Sequence, residues 1–307
     1  MKYSVVIPAY NEEAVLTLSY QRLKKVMDTL GDYELIFVND GSRDDTLLKL
    51  RQIAAEDKCV KVLSFSRNFG HQEAVTAGMA KSKGQAVIII DCDLQDPPEL
   101  IPDMAKMWRE GADIVYGRRI KRKGETAFKK LTAWVYYRVL KSLGGQYIPT
   151  NTGDFRLIDR KVCEVLSGMP ERNRFLRGMA AWSGFKAVPI DYVRDERAAG
   201  ETKYSMKKML KLAGDGITSF SNKPLKFPLV FGIIMSVAAF IYFVLAVIFF
   251  CTGAWSYLHI VFSLLFGLIS CLFISLGIFG LYLGRIYDET KARPLYIIDE
   301  QINLEEL

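Results

Sequence analysis

The sequence predicts an α/β fold with a mainly parallel sheet, followed by a C-terminal two-helix transmembrane hairpin. Three observations predict it. Val- and Ile-rich runs of strand length recur through Met1 to Lys226, amphipathic stretches of helical length separate them, and from Phe227 to Gly284 there is no Asp, Glu, Lys or Arg at all.

The strands come first. "YSVVIPAY", "YELIFVND", "VKVLSFS", "QAVIIID" and "ADIVYG" are apolar throughout rather than alternating, as strands buried on both faces of a parallel sheet must be. The intervening "EEAVLTLSYQRLKKVMDTL" and "HQEAVTAGMAKSKG" read as helices, the second closed by a cap at Gly84. In such sheets ligands bind beyond the carboxyl ends of the strands.

The uncharged run is too long for one span, since roughly 20 residues cross the hydrocarbon. "CTGAWSYLH" supplies the turn, with Gly253 to break the helix and Trp255 and Tyr257 suited to an interface, giving spans of about 227–251 and 258–283. Lys223 and Lys226 precede the pair and Arg285, Lys291 and Arg293 follow it, while the connecting loop has no cation; the positive-inside rule then places both ends in the cytoplasm. Gly267, Gly277, Gly280 and Gly284 favour a helix contact between copies of the chain. The expected organisation is a soluble cytoplasmic domain over 1–204, a juxtamembrane helix over 205–226, the hairpin over 227–284 and a cytoplasmic tail over 285–307. A second interfacial helix is expected in "KGETAFKKLTAWVYYRVLKSLGG", where Lys and Arg mix with Trp and Tyr.

The formal net charge of +7 suits an anionic membrane or a phosphorylated substrate better than nucleic acid, given the membrane segment. Five scattered cysteines give neither a disulfide framework nor a zinc spacing. The N-terminal apolar run is broken by Pro8 and Asn11, too short for a secretory signal, so the domain is expected in the cytoplasm.

Polar residues gather where the strands end. The first strand runs into Tyr10, Asn11 and Glu12, the second into Asn39, Asp40, Gly41 and Ser42, the fourth into Asp91, Asp93 and Gln95, the fifth into Arg118 and Arg119. Taken singly, Asn11 and Ser42 also suit helix caps, and "NDGS" is good turn chemistry. Asp91 and Asp93, two apart on a strand, would face one side with Cys92 on the other, so both carboxylates address one ion. Hard oxygen donors without His or Cys favour Mg²⁺ or Mn²⁺, with Gln95 adding a carbonyl or an outer contact. There is no P-loop and no G-x-G-x-x-G turn, so a metal must replace the glycine cradle for phosphates, as suits a nucleotide diphosphate leaving group. His71 is read as opening the helix after "SRNFG", without a ligand set.

"VVIPAYNEE", "VNDGSRDDT", "SRNFGHQEAVTAGMAKSKG", "DCDLQDPPELIP", "GRR" and "NTGDFRLIDR" resemble family 2 glycosyltransferases of the GT-A nucleotide-diphospho-sugar transferase fold. The branch resembled is that of the polyprenyl-phosphate enzymes, which includes bactoprenol glucosyltransferases and dolichol-phosphate mannose synthases. The resemblance covers almost the whole chain, hairpin included. It implies that Pro8, Tyr10, Asn11, Glu12 and Asp40 line the nucleotide pocket with Asp91, that Asp91, Asp93 and Gln95 surround the metal, and that Arg118 sits near donor sugar and acceptor phosphate, where Arg119 also acts. "RAAGETKYS" is similar to the mobile acceptor loop, giving Arg197 and Lys203 as phosphate binders. Asp154 matches the residue proposed as catalytic base, although a phosphate monoester, largely ionised at pH 7, hardly needs one; orienting the acceptor, holding a sugar hydroxyl and holding a basic residue are the other roles open to it.

The reaction so implied is transfer of one hexose from a UDP-sugar to undecaprenyl or another polyprenyl phosphate, with inversion, by a multi-pass enzyme of the plasma membrane that assembles as a homo-oligomer, a tetramer by resemblance. The product is a lipid-linked monosaccharide for modifying cell-envelope glycans. "RNRFLRGMAAW" stands where processive synthases carry Q-x-x-R-W, which argues against an enzyme that extends a glycan. The intact D-x-D set argues against an inactive membrane scaffold.

Overall fold

In the computed structural model, residues 1–122, 152–194 and 258–304 are described, with only some side chains over 258–274. The first part of the chain alternates strand and helix: β1 (Tyr3–Ala9), α1 (Leu16–Met27), β2 (Tyr33–Asn39), α2 (Thr46–Glu56), β3 (Val60–Phe65), α3 (His71–Lys81) and β4 (Ala86–Ile89). After a short 3₁₀ turn (Pro98–Leu100) come α4 (Ile101–Arg109), β5 (Ile114–Arg122), β6 (Thr152–Asp159), α5 (Arg160–Gly168), α6 (Leu176–Trp182) and β7 (Ala187–Arg194). The long α7 (Leu258–Lys291) and β8 (Ile298–Ile302) close the described chain.

The strands form one sheet in the order β7-β5-β6-β4-β1-β2-β3-β8. β1, β2, β3 and β4 run parallel, as do β5 and β7, while β6 is antiparallel to both β4 and β5. Every residue of β1 and β2 is buried, which accounts for their unbroken apolar runs. One layer of core packs Leu16, Leu23 and Met104 against the sheet, the other Ala77, Met79 and Val162.

The five expected strands correspond to β1–β5. α3 ends at Lys81 with Ser82 as its cap, so Gly84 is not the cap expected of it. Gly84 is needed for another reason: a Cβ there would lie 2.5 Å from the Ser4 nitrogen, and only glycine lets this turn approach β1 so closely.

The segment expected as a tail after residue 285 continues as α7 to Lys291 and returns to the sheet as β8, antiparallel to β3. Tyr296 stacks on Phe65 with centroids 5.1 Å apart, Arg51 makes a two-pronged pair with Glu300, and Asn303 Nδ2 donates to the carbonyls of Ala54 and Val60 at 2.7 and 2.8 Å. Side chains of α7 are described without a break only from Ser275 onward, and among the described residues no helix is long and apolar enough to cross a membrane. The expected first span, its turn, the 205–226 helix and the "KGETAFKKLTAWVYYRVLKSLGG" helix lie outside the described residues.

A polar knot ties β1, β2 and β3 together. Glu34 on β2 is fully buried, accepts from Ser4 Oγ of β1 at 2.5 Å and from the Lys83 amide at 2.7 Å, and pairs with Lys61 of β3. Removing one partner of a buried pair strands the other. Glu34→Ala should therefore cost about 3 kcal/mol, read as a lowered midpoint in thermal unfolding; an unchanged midpoint would refute the knot.

Candidate active site

Parallel strands bring their carboxyl ends to one rim, and the antiparallel β6 brings its amino end to the same place. The β4–β6 register pairs Ile89 with Arg156, so Asp154 lies across from Asp91. α3 starts at this rim too, with His71 as its first residue.

The β1 and β2 loops are stitched together by their own polar groups. The Asn11 amide donates to Ser42 Oγ at 2.9 Å, the Arg43 amide to Asn11 Oδ1 at 2.8 Å, and the Glu12 amide to Thr46 Oγ1 at 2.9 Å. Asn11 holds a left-handed backbone, φ 53°, a conformation Asn tolerates better than most residues. Tyr10, Asn11 and Glu12 are half-buried at this mouth, whereas Pro8 is inside β1 opposite Val38. The Asp40 carboxylate is buried and accepts from the Phe69 amide at 2.7 Å, the Gly70 amide at 3.1 Å and Asn68 Nδ2 at 2.8 Å. Burial pushes its pKa up while these amides pull it down, the net shift being upward. It fastens the "RNFG" turn that aims His71.

β4 ends at Ile89, so Asp91 and Asp93 stand in a turn, not on the strand expected of them. The positive φ of Leu94, 58°, bends the chain back at that point. Cys92 does point into the core, and Asp93 Oδ1 accepts from the Gln95 amide at 3.1 Å. Asp91 Oδ1 is buried with no hydrogen-bond partner. Burial, together with Asp154, Asp96 and Asp93 against the opposing charge of His71, raises the Asp91 pKa to about 6.

Asp154 is the best-held carboxylate of the rim. Arg177 of α6 clasps both its oxygens at 2.8 and 2.7 Å, Arg156 Nη2 lies at 3.8 Å, and His71 Nε2 at 3.5 Å. Burial alone would raise its pKa, but the Arg177 charge and its two hydrogen bonds, with His71, hold it well below the usual carboxylate range. His71 Nε2 is also 3.6 Å from Asp91 Oδ1. Burial works against its charge, and the Asp154 and Asp91 carboxylates outweigh that, raising its pKa to about 9. Its Nε2 stands between the two carboxylates at ion-pair rather than hydrogen-bond distance, where the sequence reading expected only a helix-opening residue.

Arg118 and Arg119 of β5 are committed to protein partners. Arg118, half-exposed, makes a two-pronged pair with Asp191 of β7 at 2.6 and 2.8 Å. Arg119 is packed under the rim, donating to Tyr192 Oη at 3.0 Å and Asp96 Oδ1 at 3.4 Å, and a Cβ on Gly153 would overlap its guanidinium. Tyr192 Oη also donates to Asp96. Arg197 and Lys203 lie outside the described residues.

The described residues hold no group of three or more His, Cys, Asp or Glu side chains arranged for a metal. Asp91 and Asp93 nevertheless fit a divalent ion that arrives with its own oxygen ligands. One carboxylate oxygen is buried without a hydrogen bond, its ionisation is disfavoured by burial, and two protein carboxylates leave room for phosphate and water around Mg²⁺ or Mn²⁺.

Residues 4–167 match Glycosyl transferase family 2. The chain belongs to that family. Among its relatives, an uncharacterized glycosyltransferase of Bacillus subtilis, YkcC, is 53% identical over 99% of this chain and 95% of its own. The bactoprenol glucosyl transferase of Shigella phage SfX is 39% identical over 97% of this chain and 99% of its own. The prophage bactoprenol glucosyl transferase homolog of Escherichia coli K12 is 41% identical over 97% and 98%. Among solved structures, glucosyl-3-phosphoglycerate synthase of Mycobacterium tuberculosis, crystallised with Mn²⁺, UDP and phosphoglyceric acid, superposes with a TM-score of 0.53 at 21% identity, over 69% of this chain and 75% of that one. That likeness establishes the GT-A-like fold of this glycosyltransferase.

Three charged groups of the site escape sequence reasoning. Arg156 is hidden in the apolar "FRLI", and its burial is the signal: a lone cation in a core strand demands a partner. Arg177 is in "RNRFLRGMAAW", and Asp96 in "DLQDPP" is overshadowed by its neighbours.

The Asp91 assignment has a pH signature. Its folded pKa lies above the unfolded one, so its ionisation opposes folding, a cost absent below about pH 4 and complete above about pH 6. Asp91→Asn should stabilise the ligand-free protein by about 1–2 kcal/mol at pH 7 and not at pH 4, while abolishing Mn²⁺-dependent UDP binding. Equal stability at both pH values would show that the carboxylate is not strained.

Proposed function

We propose that this glycosyltransferase moves one hexose from a UDP-sugar to the phosphate of a membrane polyprenol such as undecaprenyl phosphate, with inversion. The observation that carries it is the 39% identity to a bactoprenol glucosyl transferase over 97% of the chain, which runs well past the family domain at residue 167 into the apolar C-terminal part.

In this reading Tyr10, Asn11, Glu12 and Asp40 form the nucleotide mouth over the buried Pro8, and Asp91 and Asp93, with Gln95, hold Mg²⁺ or Mn²⁺. Bound there, the ion would offset the negative charge that develops on the departing diphosphate. Asp154 orients the acceptor and does not deprotonate it: Arg177 keeps it ionised and a poor proton acceptor, while the acceptor phosphate, with a second pKa near 6, is largely ionised already. His71 sets a fixed cation between the donor-side Asp91 and the acceptor-side Asp154, lowering the repulsion between two anionic substrates. Arg118, Arg119, Arg197 and Lys203 remain candidates for the acceptor phosphate; Arg118 would have to exchange Asp191 for it, and it is exposed enough to do so.

The anchor is a hairpin over 227–284, with the catalytic residues and both termini on the cytoplasmic face of the plasma membrane and copies of the chain assembled through the small-residue faces. Supporting this, Leu265, Leu268, Leu272, Leu276, Phe279, Leu281 and Leu283 are exposed along α7, an apolar surface that water does not favour.

The class is tested with detergent-purified protein, undecaprenyl phosphate, Mn²⁺ and radiolabelled UDP-sugars, followed by extraction of the lipid. Label from one sugar in the organic phase, lost with EDTA or Asp93→Ala, is the expected result; nucleotide binding without lipid labelling would favour an enzyme that extends a glycan. Asp154→Asn should lower kcat about 10²-fold with KM for the UDP-sugar nearly unchanged, as expected for misplaced reactants. It should also move the alkaline limb set by His71 to lower pH, because one of the two carboxylates that raise its pKa is gone, whereas loss of an acid limb near pH 7 would mark a general base.

A further inference from the structure

The link between α5 and α6 is fastened at both ends. At its outer end the Arg172 amide donates to Glu289 Oε1 at 2.7 Å and the Arg172 guanidinium donates to the Arg293 carbonyl, both acceptors belonging to the end of α7 and the turn after it. At its inner end the Leu176 amide donates to Gln72 Oε1 at 3.0 Å, beside His71, and Arg177 clasps Asp154 and reaches the Thr152 carbonyl at 3.2 Å. Between the two, the buried Arg174 gathers the carbonyls of Leu166, Met169 and Glu171 around its guanidinium, at 3.1 Å from Leu166 and 3.2 Å from Glu171. Braced by a buried cation and fastened at both ends, the link joins the end of α7 to Asp154 through an unbroken set of contacts.

We propose that residues 169–177 form a strap through which the seating of α7 sets the position of Asp154, with Arg177 as the positioning residue and the Arg172–Glu289 contact as the outer fastening. The reading of Asp154 as the group that orients the acceptor underlies this proposal. β8 completes the arrangement: by adding a strand to β3 it fixes the end of α7 to the sheet that also carries the rim, so that helix, strap and site share one frame. The transferase would then reach full activity only when the helix is properly seated.

The test uses the full chain in detergent or lipid. Glu289→Ala removes the acceptor of the Arg172 amide, Glu289→Gln keeps one, Arg177→Lys keeps a cation at Asp154 without the two-pronged clasp, and Arg22→Ala, which breaks a surface pair with Glu99, serves as control. Expected for Glu289→Ala are amide hydrogen exchange about tenfold faster across 171–178 and into 152–156, and kcat lowered about tenfold with KM for the UDP-sugar within about twofold. Glu289→Gln should restore most of both, and Arg177→Lys should lower kcat without changing UDP affinity. Faster exchange confined to 171–173, or an unchanged kcat in Glu289→Ala, would overturn the strap; lost UDP binding in Arg177→Lys would assign Arg177 to the nucleotide. If the unaltered protein transfers no sugar to polyprenyl phosphate, the functional reading fails, and the exchange into 152–156 alone then decides for or against the strap.

Discussion

Everything at the rim depends on keeping Asp91, Asp93, Asp96 and Asp154 close together without expelling one another. Carboxylates crowded in a poorly solvated place raise each other's pKa, and the fold meets this with cations delivered from separate elements: Arg177 from α6, Arg156 from β6, His71 from α3 and Arg119 from β5. The compensation is uneven. Asp154 receives a two-pronged arginine and is stabilised as an anion, whereas Asp91 has only the His71 imidazole, 3.6 Å from an oxygen that is buried without a hydrogen bond. Two carboxylates on one rim thereby acquire opposite chemistry, one finished and one still wanting a cation.

The same unevenness gives direction to the site. The under-compensated Asp91 lies on the β1–β4 side, where the loops of Asn11, Ser42 and Asp40 are stitched into a mouth; the over-compensated Asp154 faces it from the antiparallel β6. Asp40 contributes by holding the "RNFG" turn with its carboxylate, which fixes where His71 starts its helix. Arg119 braces the turn from below through Asp96 and Tyr192, and the absence of a side chain at Gly153 leaves it the space.

Much of this was legible in the residues. The parallel strands were, because strands buried on both faces must be apolar along their length, and so was the gathering of Asn11, Asp40, Asp91 and Asp93 just beyond strand ends, whereas Asp154 was reached only through the family resemblance. β6, β7 and β8 were not: "TGDFRLID" carries buried Arg156 within a strand, "AVPIDYVR" is broken by Pro189 and Asp191, and "IDEQI" is an edge strand with polar residues, paired through contacts from Arg51 and from Asn303. His71 looked like a helix opener because its partners stand 20 and 83 positions further on, at Asp91 and Asp154, a pairing no local pattern reveals. The committed state of Arg118 and Arg119 was hidden for the same reason, since Asp191 and Tyr192 come from a distant strand.

The ionised, clasped state of Asp154 is the point on which the chemistry turns, and its carboxyl carbon reports it directly. In protein labelled with ¹³C at the aspartate carboxyl, and assigned by comparison with Asp154→Asn, the Asp154 resonance should stay at its ionised position from pH 8 down to about pH 4. A titration midpoint near pH 6 to 7 would contradict this and restore Asp154 as a general base.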